Sequence, residues 1–131
     1  MPALVFPYSY HRGRSLPIIP VGIKGQKDQW WKVNAYLDSG AFYSIFDDSV
    51  ADLLGLSLTT GTRMLAVVGD GDSLPFYLHK VSLQVGKNRF LMNIGFSSRL
   101  KVGFNILGLD LFDRYKITFD NRRHHVILKS H

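Results

Sequence analysis

The sequence predicts a mainly β fold, a barrel or sandwich with one or two short helices. Three observations carry that prediction. Short apolar and β-branched runs recur at regular spacing. Gly- and Asp-rich turn segments punctuate them. Only the stretch at 48–54 places apolar residues at helical spacing. With 131 residues, one domain spanning 1–131, with a core over about 16–129, is the expectation. A domain of that size buries about 70% of the surface its unfolded chain exposes, enough for a core without staples.

Taken in order, Leu16–Lys24 (LPIIPVGIK) reads as the first strand. Pro17 and Pro20 place it at an edge or a strand start, because proline cannot donate to a ladder. A turn at 25–28 leads to a second strand, Trp30–Leu37, completing a hairpin. Asp47 or Asp48 can cap a helix carrying Val50, Leu53 and Leu54, and Gly55 is a natural left-handed stop. Thr62–Val68 and Leu74–Val85 form a second hairpin around 69–73. The turn 86–88 leads to Arg89–Phe96, and a loop at 97–103 precedes Phe104–Gly108. A helical turn is expected over Leu109–Arg114. Tyr115–Phe119 and His124–Leu128 form the last hairpin.

Composition narrows the function classes. Hydrophobic residues make up 46% and charged residues 20%, which excludes a disordered chain. The absence of cysteine removes a disulfide framework, a thiol nucleophile and a Cys-type zinc site. No apolar run approaches the roughly 18 residues of a membrane span. Met1–Tyr10 lacks a basic start and is interrupted by Pro2 and Pro7, so no signal peptide is expected and cytoplasm is the default location. All ten acidic residues are Asp, so any carboxylate chemistry must use aspartate. The net charge of +6 admits nucleic acid, anionic membrane or acidic peptides as partners. The Lys and Arg are scattered, however, with Arg122-Arg123 and Arg12/Arg14 the densest clusters. That pattern favours an ordinary basic protein over a nucleic-acid surface.

The candidate chemistry lies at Asp38-Ser39-Gly40, directly after the apolar strand ending at Leu37 and before Ala41. The tripeptide alone also makes ordinary turns. Its context includes Ile106-Leu107-Gly108 before a helical turn, with a glycine-rich hairpin between the two. This layout of strand, Asp-Ser-Gly-Ala, helix, flap hairpin, Ile-Leu-Gly and helix resembles the retropepsin-like aspartic proteases, over about residues 16–129. The resemblance implies a single-lobed closed β-barrel of the acid-protease type. It also implies Asp38 as the catalytic carboxylate, Ser39 as a hydroxyl locking two active-site loops, and Gly40 as a backbone position close to the carboxylates. Ala41 and Ser44 would support the loop, and Ile106, Leu107 and Gly108 would pack beneath it. Residues 65–78 would be the flap, with Val67, Val68, Gly69, Asp70 and Gly71 near an extended peptide substrate. No cofactor or metal is implied.

The chemistry fits those roles. Peptide hydrolysis needs a base to activate water and an acid to protonate the carbonyl oxygen or leaving amine. Two close carboxylates cannot both ionise, so they share one proton and supply both roles. This chain has one such aspartate and is too short for two lobes, so the resemblance implies a homodimer with Asp38 opposite Asp38. Terminal strands often knit such dimers. Ala3–Tyr8 and Val126–Lys129 are apolar enough to do so, or to be ordinary strands.

Departures from the family pattern are visible. Phe42 and Leu109 stand where viral members carry a paired aspartate and arginine, so an apolar packing contact is expected in place of the ion pair. Asp70 and Asp72 at the flap tip read as a solvated turn. A calcium loop is excluded because further oxygen ligands and a closing Glu are missing. His124 and His125 point to opposite faces of a strand and do not share a metal. Three readings follow. The first is a homodimeric aspartic endopeptidase. The second is an inactive dimerisation or peptide-binding module of the same fold. The third is a basic β domain that binds nucleic acid.

Overall fold

The computed structural model describes residues 2–67, 71–100 and 103–131. Near the N-terminus, β1 (Leu4–Pro7) is followed by a hairpin of β2 (Ser9–His11) and β3 (Arg14–Leu16). The hairpin turns at Arg12 and Gly13, with φ of 49° and 81°. Apolar alternation does not predict it, because its strands carry mostly polar residues. Pro17 then separates β3 from β4 (Ile18–Lys24), so the expected single strand is two.

β4 pairs antiparallel with β5 (Trp30–Leu37) from Ile18↔Tyr36 to Lys24↔Trp30. It reaches a second neighbour only at Gly22 and Ile23. Pro20 is therefore paired on one side alone, as its missing N–H requires. After β6 (Ile45–Asp47) comes α1 (Asp48–Leu54). Its cap is Asp47, whose carboxylate accepts from the Ser49 N–H, and Gly55 closes it at φ 73°. The hairpin of β7 (Thr62–Val67) and β8 (Ser73–Val85) runs on into β9 (Asn88–Ser97). β10 (Asn105–Leu107), α2 (Leu109–Phe112), β11 (Tyr115–Asp120) and β12 (His125–Ser130) complete the order.

The main sheet runs β4-β5-β10-β6-β9-β8-β7, and the extra β4–β8 pairing closes its first six strands into a ring. Alternate residues point inward, so Ile19, Val21 and Ile23 of β4 meet Val81, Leu83 and Val85 of β8 in one core cluster. Phe46 and Phe96 are fully buried and meet edge to face at 6.3 Å. Gly95 on β9 is required by packing: a Cβ there would collide with the Phe76 ring.

A second sheet is built from the chain ends, in the order β1-β12-β11. Leu4↔Leu128 through Pro7↔His125 pair β1 with β12. The terminal segments are thus spent on each other within one chain, the second of the two uses their apolar sequence allows. Leu4 and Phe6 pack against the main core. No helix among the described residues is long and apolar enough to cross a membrane.

Phe96 touches both Phe46 and the His79 ring at the centre of this packing. Phe96→Ala is expected to cost about 3–5 kcal/mol of folding stability. Urea denaturation of the variant beside the parent chain measures it.

Candidate active site

The site begins with a topological constraint. β10 lies between β5 and β6, parallel to β5 and antiparallel to β6. The chain leaving β5 must therefore pass over the end of β10 to reach β6, and that crossover carries Asp38-Ser39-Gly40-Ala41. Asn105 stitches the arrangement from below. Its amide donates to the Asn34 carbonyl of β5, and its Oδ1 accepts from the Asp47 N–H of β6.

Backbone bonds fix the crossover above. The Asp38 N–H donates to the Leu107 carbonyl at 2.9 Å, and the Leu109 N–H donates to the Ala41 carbonyl at 2.8 Å. The loop closes on its own side chain, with the Gly40 N–H donating to Asp38 Oδ1 at 2.8 Å. Gly108 sits directly beneath. A Cβ there would stand 2.5 Å from the Ala41 carbonyl oxygen and 2.7 Å from that of Tyr43. Ile106 pairs with Tyr36 and Ile45, and Leu107 with Leu37, so this segment runs beneath the loop.

Ser44 is fully buried, not solvent-facing. Its hydroxyl donates to Asp110 Oδ1 at 2.5 Å and accepts from the Gly108 N–H at 3.0 Å. Its own N–H donates to Asp110 Oδ2 at 3.0 Å. Asp110 also accepts from the Leu111 N–H at the start of α2. One carboxylate therefore ties the far end of the crossover to the first turn of α2. Little in the sequence points to Asp110. Its only local signal is an acidic residue in a first helical turn.

The Asp38 carboxylate is half-buried and opens into a groove of about 370 Å³. The walls are Leu16 and Pro17, Tyr36, and Tyr8 with Phe119 of β11 and Asn121 of the turn after it. Asp38 is the one charged residue among those lining it. Partial burial raises the Tyr8 phenol above its ordinary value, with Asp120 and Tyr36 adding to the shift, so Tyr8 stays neutral. Ser39 is exposed, and among the described residues its hydroxyl has no hydrogen-bond partner. The arrangement offers one carboxylate at the groove, with its Oδ1 accepting from a backbone amide.

One expectation changes here. Phe42 is 80% exposed, so its ring is not buried in the packing contact with Leu109 expected in place of an ion pair. The loop places its ring outside the core. Of the flap residues, Val68, Gly69 and Asp70 lie outside the described residues. Val67 is 80% exposed at the end of β7, opposite Ser73, and Gly71 takes φ 88°. The other conspicuous side chains have structural partners. Arg89 lies over the Trp30 ring at 4.4 Å, and His124 stacks on Tyr8 at 5.7 Å.

This fold is the retropepsin-like fold. The chain superposes on a retropepsin-like aspartic protease from Rickettsia conorii with a TM-score of 0.70, at 18% identity, covering 97% of this chain and 89% of that one. EIAV protease, solved with the inhibitor HBY-793, gives a TM-score of 0.56 at 18% identity over 80% of this chain and 92% of that one. The retroviral protease-like domain of Ddi1 from Leishmania major gives 0.55 at 19% identity, over 88% and 94%. No protein-family model and no curated protein sequence matches the chain.

Ser44→Ala removes one donor to Asp110 and the acceptor of the Gly108 N–H in a fully buried place. It is expected to lower stability by about 1–3 kcal/mol. Thermal unfolding monitored by circular dichroism reads the loss.

Proposed function

We propose that this protein is an aspartic endopeptidase that works as a homodimer. The observation that carries the reading is the Asp38 carboxylate, held by the Gly40 amide on a crossover that β10 pins from below, at the edge of an open groove. A single carboxylate supplies either a base or an acid, whereas peptide hydrolysis needs both. A second Asp38 brought close by two-fold symmetry shares one proton with the first, and the pair titrates as a unit. Ser39, exposed beside it, supplies the hydroxyl that locks the two active-site loops in this reading. The β7–β8 hairpin serves as the flap over an extended peptide, which is held by strand-like backbone bonds.

A second reading keeps the fold and drops the chemistry. Phe42 and Leu109 favour it, because they occupy the positions where viral relatives carry an ion pair. Such a module binds peptide or a second copy without cleaving it.

Asp38→Asn is expected to abolish cleavage of an unfolded protein substrate while leaving the melting curve and solution mass in place. Full cleavage by a clean preparation of the variant would end the enzyme reading. A native chain that binds a pepstatin-type inhibitor as a dimer supports it over the inactive module.

A further inference from the structure

Cations that are scattered along the sequence gather on one outer face of the main sheet, because register rather than sequence sets their neighbours. Alternate residues of β4, β5, β8 and β9 build the core cluster, so the residues between them face outward. The outward set includes Lys24, Lys32, Lys80 and Arg89. These four strands hold no Asp, and Asp is the only acidic residue type in the chain. Among the described residues, Lys24 alone of the four cations has an ion-pair partner, Asp28 at 2.9 Å.

One rung across the face runs Lys32, Gly22, Gln84 and Arg89, on β5, β4, β8 and β9 in turn. Strand spacing sets its two cations about 14 Å apart at Cα. Trp30 leans across this rung at Gly22, where a Cβ would stand 3.4 Å from the indole Cε3 and 3.2 Å from Gln84 Cβ. The Arg89 guanidinium lies over the indole at 4.4 Å. Its Nε donates to Gln84 Oε1 at 2.7 Å, and Gln84 Nε2 donates to the Gly86 carbonyl at 2.9 Å. The guanidinium is thus held in place, while its terminal N–H groups have no acceptor among the described residues. A groove of about 330 Å³ opens beside this stack, with Trp30, Lys32 and Phe6 among its walls.

We propose that this face binds single-stranded nucleic acid, with bases stacking on the Trp30–Arg89 pair and phosphates meeting Lys32, Lys80 and the free N–H groups of Arg89. Charge alone suits any polyanion, and the ring selects among them. An acidic peptide or an anionic headgroup answers the lysines but brings no flat partner for the indole and guanidinium. A nucleotide brings a π-face and a phosphate together. A duplex keeps its bases stacked on one another, so the unpaired strand is the form that can use the platform. None of these residues lines the Asp38 groove, so the site stands apart from the proposed hydrolysis.

Fluorescence anisotropy with the full chain and a labelled oligothymidylate of about 20 nucleotides tests the proposal. Three phosphate contacts give a slope of about −2 in log K against log[salt], hence about a twentyfold loss of affinity from about 50 to 200 mM salt. Lys32→Ala or Lys80→Ala, each at an exposed position, is expected to make that slope shallower by about 0.7. Trp30→Leu is expected to weaken binding about tenfold and to leave the slope in place. Absence of binding at about 50 mM salt overturns the proposal. So does polyglutamate of equal charge, or a phosphatidylserine vesicle, that binds as tightly as the oligonucleotide, because the ring then contributes nothing. Binding that is unchanged in both lysine variants removes the nucleic acid from this face.

Discussion

The insertion of β10 between β5 and β6 is the constraint on which the candidate site depends. A direct turn from β5 to β6 would need the two strands to be neighbours, and β10 prevents it. The crossover is forced over the end of β10, and its backbone groups need partners there. They find them: Leu107 receives the Asp38 amide, and Ala41 receives the Leu109 amide. The same geometry sets the side-chain requirements. Gly108 must lack a Cβ because the Ala41 and Tyr43 carbonyls close over it. Its amide must be answered by a hydroxyl, which is Ser44, and that hydroxyl must be answered by a carboxylate, which is Asp110. A small rigid unit results, with Asp38 at its exposed corner.

What was legible in the sequence was whatever depends on near neighbours. The Asp47 cap and the Gly55 stop follow from local backbone chemistry, and the structure places both there. The β4–β5, β7–β8 and β11–β12 hairpins follow from apolar runs around turn residues, with ends that differ by a residue or two. Asp38-Ser39-Gly40 and Ile106-Leu107-Gly108 stand out as compact motifs, and their expected roles came from the family resemblance they carry. What was hidden depends on distant pairings. Ser44 and Asp110 are 66 positions apart, and nothing near either residue announces the other. β6 is three residues long, too short for a periodic signal, and exists because β9 and β10 offer it ladders. Phe42 is an apolar residue that pattern reading sends inward, while the crossover turns it out.

The terminal sheet changes how the two halves of the proposed enzyme relate. Strands exchanged between protomers would leave each chain incomplete without its mate, so folding and association would be one event. Here β1 and β12 satisfy each other within one chain, and their inward residues Leu4, Phe6, Val126 and Leu128 already cover the main core. The fold needs no second copy for that burial. Association then joins bodies that are already folded. It costs rigid-body freedom and ordering of side chains at the interface, rather than the far larger entropy of ordering a chain.

That separation has a chemical consequence. In the proposed homodimer the carboxylate that a protomer lacks arrives only by mass action, so the population of paired aspartates rises with the square of the free protomer concentration. At low concentration such a chain is a folded half-site with a single carboxylate, which cannot act as acid and base together. A proton shared between two acids exists only in the pair, which makes encounter, rather than folding, the step that creates the proposed chemistry.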